Sequence, residues 1–343
     1  MPLEVMIGTL TLNNPVLVAA GTFGYGLEFA RSLRLERLGA LITKTLTRRP
    51  REGNSPPRLA ETPSGMLNAV GLQNVGLELF LEEKLPQLRP HRVPVIVSVL
   101  GESREELIEM VQQLDRAEGV AAIELNLSCP NIKHRSGLEA RGTGHIENAQ
   151  GSRPEAESQG TRASLSLQPA ASSLQPRLVA HDPEATAAMV RAARAHTRKP
   201  LIAKLSPDVT DMTPVAQAAE RAGADALTLS NTFVGMSVDP ATRRSRLGTM
   251  TGGLSGPAIR PLALYRVWYT AQSVTVPIIG VGGIARAEDA LEFLLAGASA
   301  IAIGTANFAN PRAPLQVLRG IERYCRRHQI GSLNDIRGAV NHA

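Results

Sequence analysis

The 343-residue chain holds two cysteines, 3% aromatic residues and no apolar run approaching the roughly 18 residues of a membrane span. Cys129 and Cys325 cannot build a disulfide framework, so a reducing compartment is expected. The opening Met1-Pro2-Leu3-Glu4 carries neither a basic region nor a long apolar core, which argues against a secretory signal and for the cytoplasm. Whole chemistries are missing as well. No G-x-G-x-x-G follows a strand, and neither a Walker A sequence nor H-E-x-x-H occurs. Gly253-Leu254-Ser255-Gly256-Pro257 fails the nucleophile-elbow pattern at its proline. Lacking a C-x-x-C, the chain alone cannot ligate an iron–sulfur cluster through cysteines. Its seven histidines fall at no metal spacing, so no metal is expected.

What remains is an ordinary globular composition, 43% hydrophobic and 20% charged, whose length suits one large domain or two small ones with a full core. The net charge of +6 is almost all arginine, since the only lysines are Lys44, Lys84, Lys133, Lys199 and Lys204. A nucleic-acid surface usually shows clustered cations with interleaved aromatics. Here the arginines are scattered, and the balance reads as solubility and an attraction for small anions.

Eight short apolar runs recur along the chain: Val16–Ala19, Ala40–Lys44, Val95–Val99, Ala122–Asn126, Leu201–Leu205, Ala226–Ser230, Pro277–Gly280 and Ala300–Gly304. Continuous rather than alternating apolarity predicts parallel strands covered on both faces. Amphipathic stretches fall between them, at Arg104–Ala117, Pro183–Thr197, Asp211–Ala222, Pro257–Ala271 and Ala287–Ala296, with Gly223 and Gly297 where C-terminal caps belong. Eight βα units predict an α/β fold, a (β/α)8 TIM barrel, over a doubly wound open sheet. Leu3–Ile7 and Leu10–Leu12 predict a hairpin closing its bottom. Two segments break the rhythm. Leu46–Val75 is long for a βα loop, and long loops in compact domains tend to be functional. Lys133–Ala180 is rich in Gly, Ser, Gln, Arg and Ala and has no aromatic residue, which predicts a disordered insertion within a single domain 1–343.

Active sites of such barrels lie at the C-terminal ends of the strands. Polar residues gather at those ends: Gly21, Thr22, Lys44, Thr45, Ser98, Asn126, Cys129, Lys204, Asn231, Thr232, Gly282, Gly283, Gly304 and Thr305. A lysine ending an apolar strand is the least innocent of these, because burying an unpaired ammonium is costly. Lys44 and Lys204 together point to an anionic or electron-rich ligand in the barrel mouth. In Asn126-Leu127-Ser128-Cys129-Pro130-Asn131, a cysteine leaves a strand between two carboxamides, where a tuned thiol can act as acid or base. Cys325, in a polar C-terminal stretch, reads as a buried structural thiol. Gly280-Val281-Gly282-Gly283-Ile284 and Gly304-Thr305 sit where barrels bind phosphate, although Gly-Gly pairs alone are a weak signal.

Read together, these blocks resemble the catalytic subunit of class 1B dihydroorotate dehydrogenases. The matching stretches are Gly21–Gly24, Thr43–Thr45, Asn68–Asn74, Asn126–Asn131, Lys204–Pro207, Asn231-Thr232 with Gly235-Met236, Gly252–Ala258, Gly280–Ile284 and Gly304-Thr305. The resemblance covers nearly the whole chain apart from Lys133–Ala180. It implies an FMN flavoprotein that oxidises (S)-dihydroorotate to orotate in pyrimidine synthesis, with Cys129 as the base removing the C5 proton. It assigns substrate binding to Lys44, Asn68, Ala69, Val70, Gly71, Leu72, Asn126, Asn231 and Thr232. It assigns FMN to Ala20, Gly21, Lys44, Thr45, Ser98, Asn126, Lys204, Ser230, Gly256, Gly282, Gly283, Gly304 and Thr305. Two positions depart from the family, which usually has serine at Ala20 and asparagine at Ser98, both on the flavin. The resemblance also implies a homodimeric core in a heterotetramer, whose second subunit carries FAD and an iron–sulfur cluster and passes electrons to NAD.

Three rival readings follow from the same residues. A fumarate-linked dihydroorotate dehydrogenase is disfavoured by the Gly71–Asn74 and Asn231–Met236 blocks. A tRNA dihydrouridine synthase shares the cysteine setting but needs an RNA-binding domain, and only Arg312–Ala343 follows the eighth strand unit. A non-catalytic scaffold sits poorly with the retention of Lys44, Asn126, Cys129 and Lys204.

Overall fold

The computed structural model describes residues 3–128 and 179–341. In chain order, a hairpin of β1 (Val5–Ile7) and β2 (Leu10–Leu12) precedes β3 (Val16–Val18) and β4 (Ala40–Ile42). A second hairpin, β5 (Leu59–Thr62) and β6 (Gly65–Asn68), comes before β7 (Val95–Val99) and β8 (Val120–Asn126). Then follow β9 (Leu201–Lys204), β10 (Ala226–Leu229), β11 (Phe233–Gly235), β12 (Val238–Asp239), β13 (Arg244–Ser245), β14 (Gly252–Ser255), β15 (Ile278–Val281) and β16 (Ala300–Ile303).

Strands β3, β4, β7, β8, β9, β10, β15 and β16 pair in that order, all parallel, and β16 closes on β3. Each coincides with one of the eight apolar runs, so the predicted barrel is the observed one. Their burial is nearly complete, as expected for strands covered outside by helices and packed inside by their own side chains. Helices cover the outside at Arg104–Arg116, Pro183–Arg194, Thr213–Arg221, Arg260–Ala271, Ala287–Leu295 and Ala313–Arg327. Two of their starts carry side-chain caps. Ser103 Oγ accepts the Glu106 amide at 3.1 Å, and Asp182 accepts those of Glu184 and Ala185 ahead of Pro183. Gly223 and Gly297 follow two helix ends at φ +101° and +114°, a conformation that favours glycine. Among the described residues, no helix is long and apolar enough to cross a membrane.

The predicted hairpin is β1–β2, with Gly8 turning at φ +58° against Asp225, one residue before β10 and so at the barrel's lower end. Two features differ from the sequence reading. The first βα unit has no α-helix, only 3-10 turns at Leu27–Phe29 and Leu35–Arg37. The long loop after β4 is not irregular: β5 and β6 join β14 and β11 in a four-stranded antiparallel sheet of order β11-β14-β6-β5. The insertion expected over Lys133–Ala180 lies, up to residue 178, outside the described residues. Val179 and Ala180 form a turn with His181, and Ala180 is buried in the core.

Candidate active site

The strand ends and the four-stranded sheet enclose a cavity at the C-terminal mouth of the barrel. It is lined by Ala20, Gly21, Lys44, Thr45, Asn68, Val70, Gly71, Leu72, Asn126, Lys204, Ser230, Asn231, Thr232, Gly256, Gly282, Gly283, Gly304 and Thr305. The fold thus brings together eighteen residues that the sequence assigned to substrate or flavin. Ala69 and Ser98 do not line it. Alternation along the chain turns Ala69 away into a small cluster with Leu67 and Leu247. Ser98 is fully buried beneath the floor. Cys129 lies outside the described residues.

The floor is a relay of hydrogen bonds across β4, β7 and β8. The Asn126 amide donates to Thr45 Oγ1 at 3.0 Å, Thr45 and Ser98 hydroxyls meet at 3.0 Å, and the Ser98 amide donates to Thr43 Oγ1 at 3.1 Å. One side of the cavity is fastened around Ser128, which is buried. Its hydroxyl donates to Asn126 Oδ1 at 3.2 Å and accepts from Asn231 Nδ2 at 2.8 Å. Asn231 Oδ1 in turn accepts the Thr232 amide at 2.8 Å. The residue preceding Cys129 is therefore held by the carboxamide ending β8 and by one in the loop after β10. On the far wall Asn68 Nδ2 donates to the Gly253 carbonyl at 3.2 Å, tying β6 to β14.

Two features mark the cavity as built for an anion. Lys204 ends β9 with only 5% of its surface exposed, and among the described residues its ammonium has no hydrogen bond or ion pair. The same cavity carries a glycine cradle: Gly256, Gly282 and Gly283 have φ of +94°, +145° and +69°. The amides of Gly256, Gly282, Gly283, Gly304 and Thr305 donate to no protein acceptor among the described residues. Clustered amides with no partner are costly unless a ligand or water accepts them, and such nests bind phosphate. Asn307 fixes the Gly304-Thr305 turn through Ile303 O at 2.9 Å and Thr22 Oγ1 at 3.3 Å.

The sequence reading missed several members of this site. Ala19, Leu59, Met66, Ser255, Ile259, Val281 and Phe308 also line the cavity, and Leu59 and Phe308 are more than half exposed at its rim. Nearby, the loop after β9 carries a second polar cluster. His181 Nε2 meets Ser206 Oγ at 3.2 Å, and Asp208 Oδ1 accepts the Val234 amide of β11 at 3.2 Å. Burial pushes the Asp208 carboxyl above the usual aspartate range, against the pull of His181 and Arg266. Burial pushes the His181 imidazole below its ordinary value, against the pull of Asp208. Cys325 is fully buried in the last helix, where burial raises its thiol pKa.

The fold and site define a barrel enzyme whose mouth gathers a buried lysine, a half-buried one, a glycine cradle and a wall of carboxamides. The family model of dihydroorotate dehydrogenases matches residues 2–147 and 170–325. The chain is 47% identical to the dihydroorotate dehydrogenase B (NAD(+)) catalytic subunit of Geotalea daltonii, over 98% of both chains. It is 44% identical to the protein of that name from Thermodesulfovibrio yellowstonii, again over 98% of both, and 46% identical to that of Desulforudis audaxviator over 98% and 97%. The chain belongs to the dihydroorotate dehydrogenase family, as its motif blocks predict.

Proposed function

We propose that this chain is the catalytic subunit of an NAD-linked dihydroorotate dehydrogenase, which oxidises (S)-dihydroorotate to orotate in pyrimidine synthesis in the cytoplasm. The observation that carries this reading is the pairing, in one cavity, of a buried ammonium at Lys204 with amides at Gly256, Gly282, Gly283, Gly304 and Thr305 that have no protein partner among the described residues. These residues fit FMN. The cradle amides hold its phosphate, with Gly21, Thr45 and Ser230 along its length. Lys204 provides fixed positive charge where negative charge accumulates on reduction, stabilising that state selectively. FMN, when bound, supplies the acceptor for the hydride from C6 of the substrate.

The chain's own groups do the rest. Lys44 pairs with the substrate carboxylate, and the Asn68, Asn126 and Asn231 carboxamides with Thr232 orient its ring; the Ala69–Leu72 segment covers it. Cys129 Sγ takes the C5 proton. Support for that assignment comes from its setting: Ser128, one residue earlier, is anchored by both Asn126 and Asn231. The sheet over the mouth limits water access. Alanine at position 20 takes away one hydrogen-bond partner of the flavin, worth about 1 kcal/mol. Ser98 acts through Thr45. Electrons leave through a partner subunit carrying FAD and an iron–sulfur cluster, since this sequence has neither a dinucleotide fingerprint nor cluster ligands. The assembly is a homodimeric core within a heterotetramer.

The test is anaerobic stopped-flow absorbance of the purified protein mixed with dihydroorotate. The flavin band should bleach rapidly in the wild type and far more slowly in Cys129→Ala at neutral pH. A protein that cannot be loaded with FMN, or whose flavin ignores dihydroorotate, overturns the reading.

A further inference from the structure

Among the described residues, three charged side chains are buried: Glu124, Lys204 and Asp289. Asp289 is accounted for, since it accepts the amides of Ala285 and Arg286 and lies beside Arg260. Glu124 and Lys204 are not. Glu124 is wholly buried in β8; its Oε2 accepts from Thr228 Oγ1 at 2.9 Å, while Oε1 has no hydrogen-bond partner among the described residues. Lys204, on the next strand, has none either among the described residues.

The register relates the two. Asn126 and Thr228 are the partners of Lys204 on its two sides, on β8 and β10. Asn126 lines the cavity, so Glu124, two residues earlier, faces the barrel interior on the same strand. The Glu124–Thr228 bond thus runs from β8 to β10 across the inner face of β9, the strand that carries Lys204. A buried carboxylate and a buried ammonium, each short of partners among the described residues, lie on adjacent strands. Burying either charge alone is far costlier than burying both near each other.

We propose that Glu124 is the counterion and positioning residue of Lys204, holding the ammonium charged and aimed at the floor of the mouth, with Thr228 fixing the carboxylate. The pairing itself stands independently of the cofactor; its effect on flavin rests on the FMN reading above. Breaking the pair leaves one buried charge uncompensated, whereas removing both leaves none.

The experiment is a double-mutant cycle on the full chain, read first without flavin. In the stripped protein, Lys204→Met and Glu124→Gln should each lower the melting temperature by about 5–10 °C, and the double variant should recover most of that loss. Additive losses overturn the pairing. Stronger coupling of Glu124→Gln to Lys44→Met than to Lys204→Met reassigns the counterion and overturns it equally. The second reading is the flavin midpoint potential of the loaded protein. Glu124→Gln should move the two-electron equilibrium about tenfold, roughly 30 mV, when Lys204 is present and not when it is methionine. A potential that does not move, or moves equally in both backgrounds, overturns the positioning role. Should Glu124→Gln fail to fold, Thr228→Val keeps the carboxylate but removes its donor. Its effect on the potential must likewise vanish in the Lys204→Met background.

Discussion

Two glycines of the same cradle should respond to alanine in opposite ways. Gly283 has φ +69°, and an added Cβ would lie 2.7 Å from Arg260 Cβ, 2.8 Å from the Gly256 carbonyl oxygen and 2.9 Å from the Arg260 amide nitrogen. A left-handed conformation costs a non-glycine residue about 1–2 kcal/mol, and overpacking against backbone about 1–3 more. At about 2–4 °C per kcal/mol for a large domain, Gly283→Ala should lower the melting temperature by about 5–15 °C even without flavin. Gly304 lines the same cavity without left-handed backbone, and its Cβ would make only ordinary contacts, 3.7 Å to Thr22 Cγ2 and 3.8 Å to Ala19 Cβ. Gly304→Ala should leave the stripped protein's melting temperature within about 2 °C of wild type. The new methyl nevertheless intrudes where the amides of Gly304 and Thr305 would meet phosphate. Losing one hydrogen bond to a charged group, at about 1.5–3 kcal/mol, weakens FMN binding about ten- to hundredfold. Melting curves of stripped protein and fluorescence titration with FMN separate the two effects. The reasoning fails if Gly304→Ala melts as early as Gly283→Ala, or binds FMN as tightly as wild type.

Asn231→Ala removes the donor that holds Ser128 Oγ at 2.8 Å, next to the proposed base, and should slow flavin reduction by dihydroorotate about ten- to hundredfold in stopped flow; an unchanged rate refutes the anchor. His181 sets a pH dependence of stability. Its folded pKa lies below the ordinary 6.5, so its neutral form is favoured in the fold. That contribution is complete above pH 6.5 and is lost as pH falls through the depressed value. His181→Asn should therefore flatten the fall in melting temperature between about pH 7 and 5, and an equally steep fall would count against it. Deletion of residues 148–169, which separate the two segments matching the family, should leave FMN affinity within about twofold of wild type; loss of flavin would show that the segment supports the site.

The barrel was legible because its strands are apolar on both faces, and eight such runs admit few architectures. The sheet over the mouth was not. Its strands are four residues or fewer; Leu59–Thr62 alternates exposed and half-buried, and Gly65–Asn68 and Gly252–Ser255 begin on glycine. Their pairing joins Asn68 to Gly253 across the length of four barrel strands, a contact no local periodicity encodes. The missing first helix has a local cause. Gly21, Gly24 and Gly26 all adopt positive φ, and glycines so close together favour a tight wrap over a helical turn.

The site was legible where side chains end strands and opaque one layer below. Lys204 announced itself as an ammonium closing an apolar run, and the cavity is where that run ends. Ser98 lies one residue inside such a run, since Val99 still continues β7, and the serine packs under Thr45 instead of reaching the mouth. Glu124 carried a signal of the same kind as Lys204, a charge inside Ala122–Asn126, and was passed over as part of a strand. The two belong together physically. A closed barrel interior tolerates a lone ammonium poorly, and under the pairing proposed above an acid deeper in the barrel offsets that cost. Searching neighbouring strands for one, two residues below the mouth, finds Glu124 opposite Ile202 and bonded to Thr228.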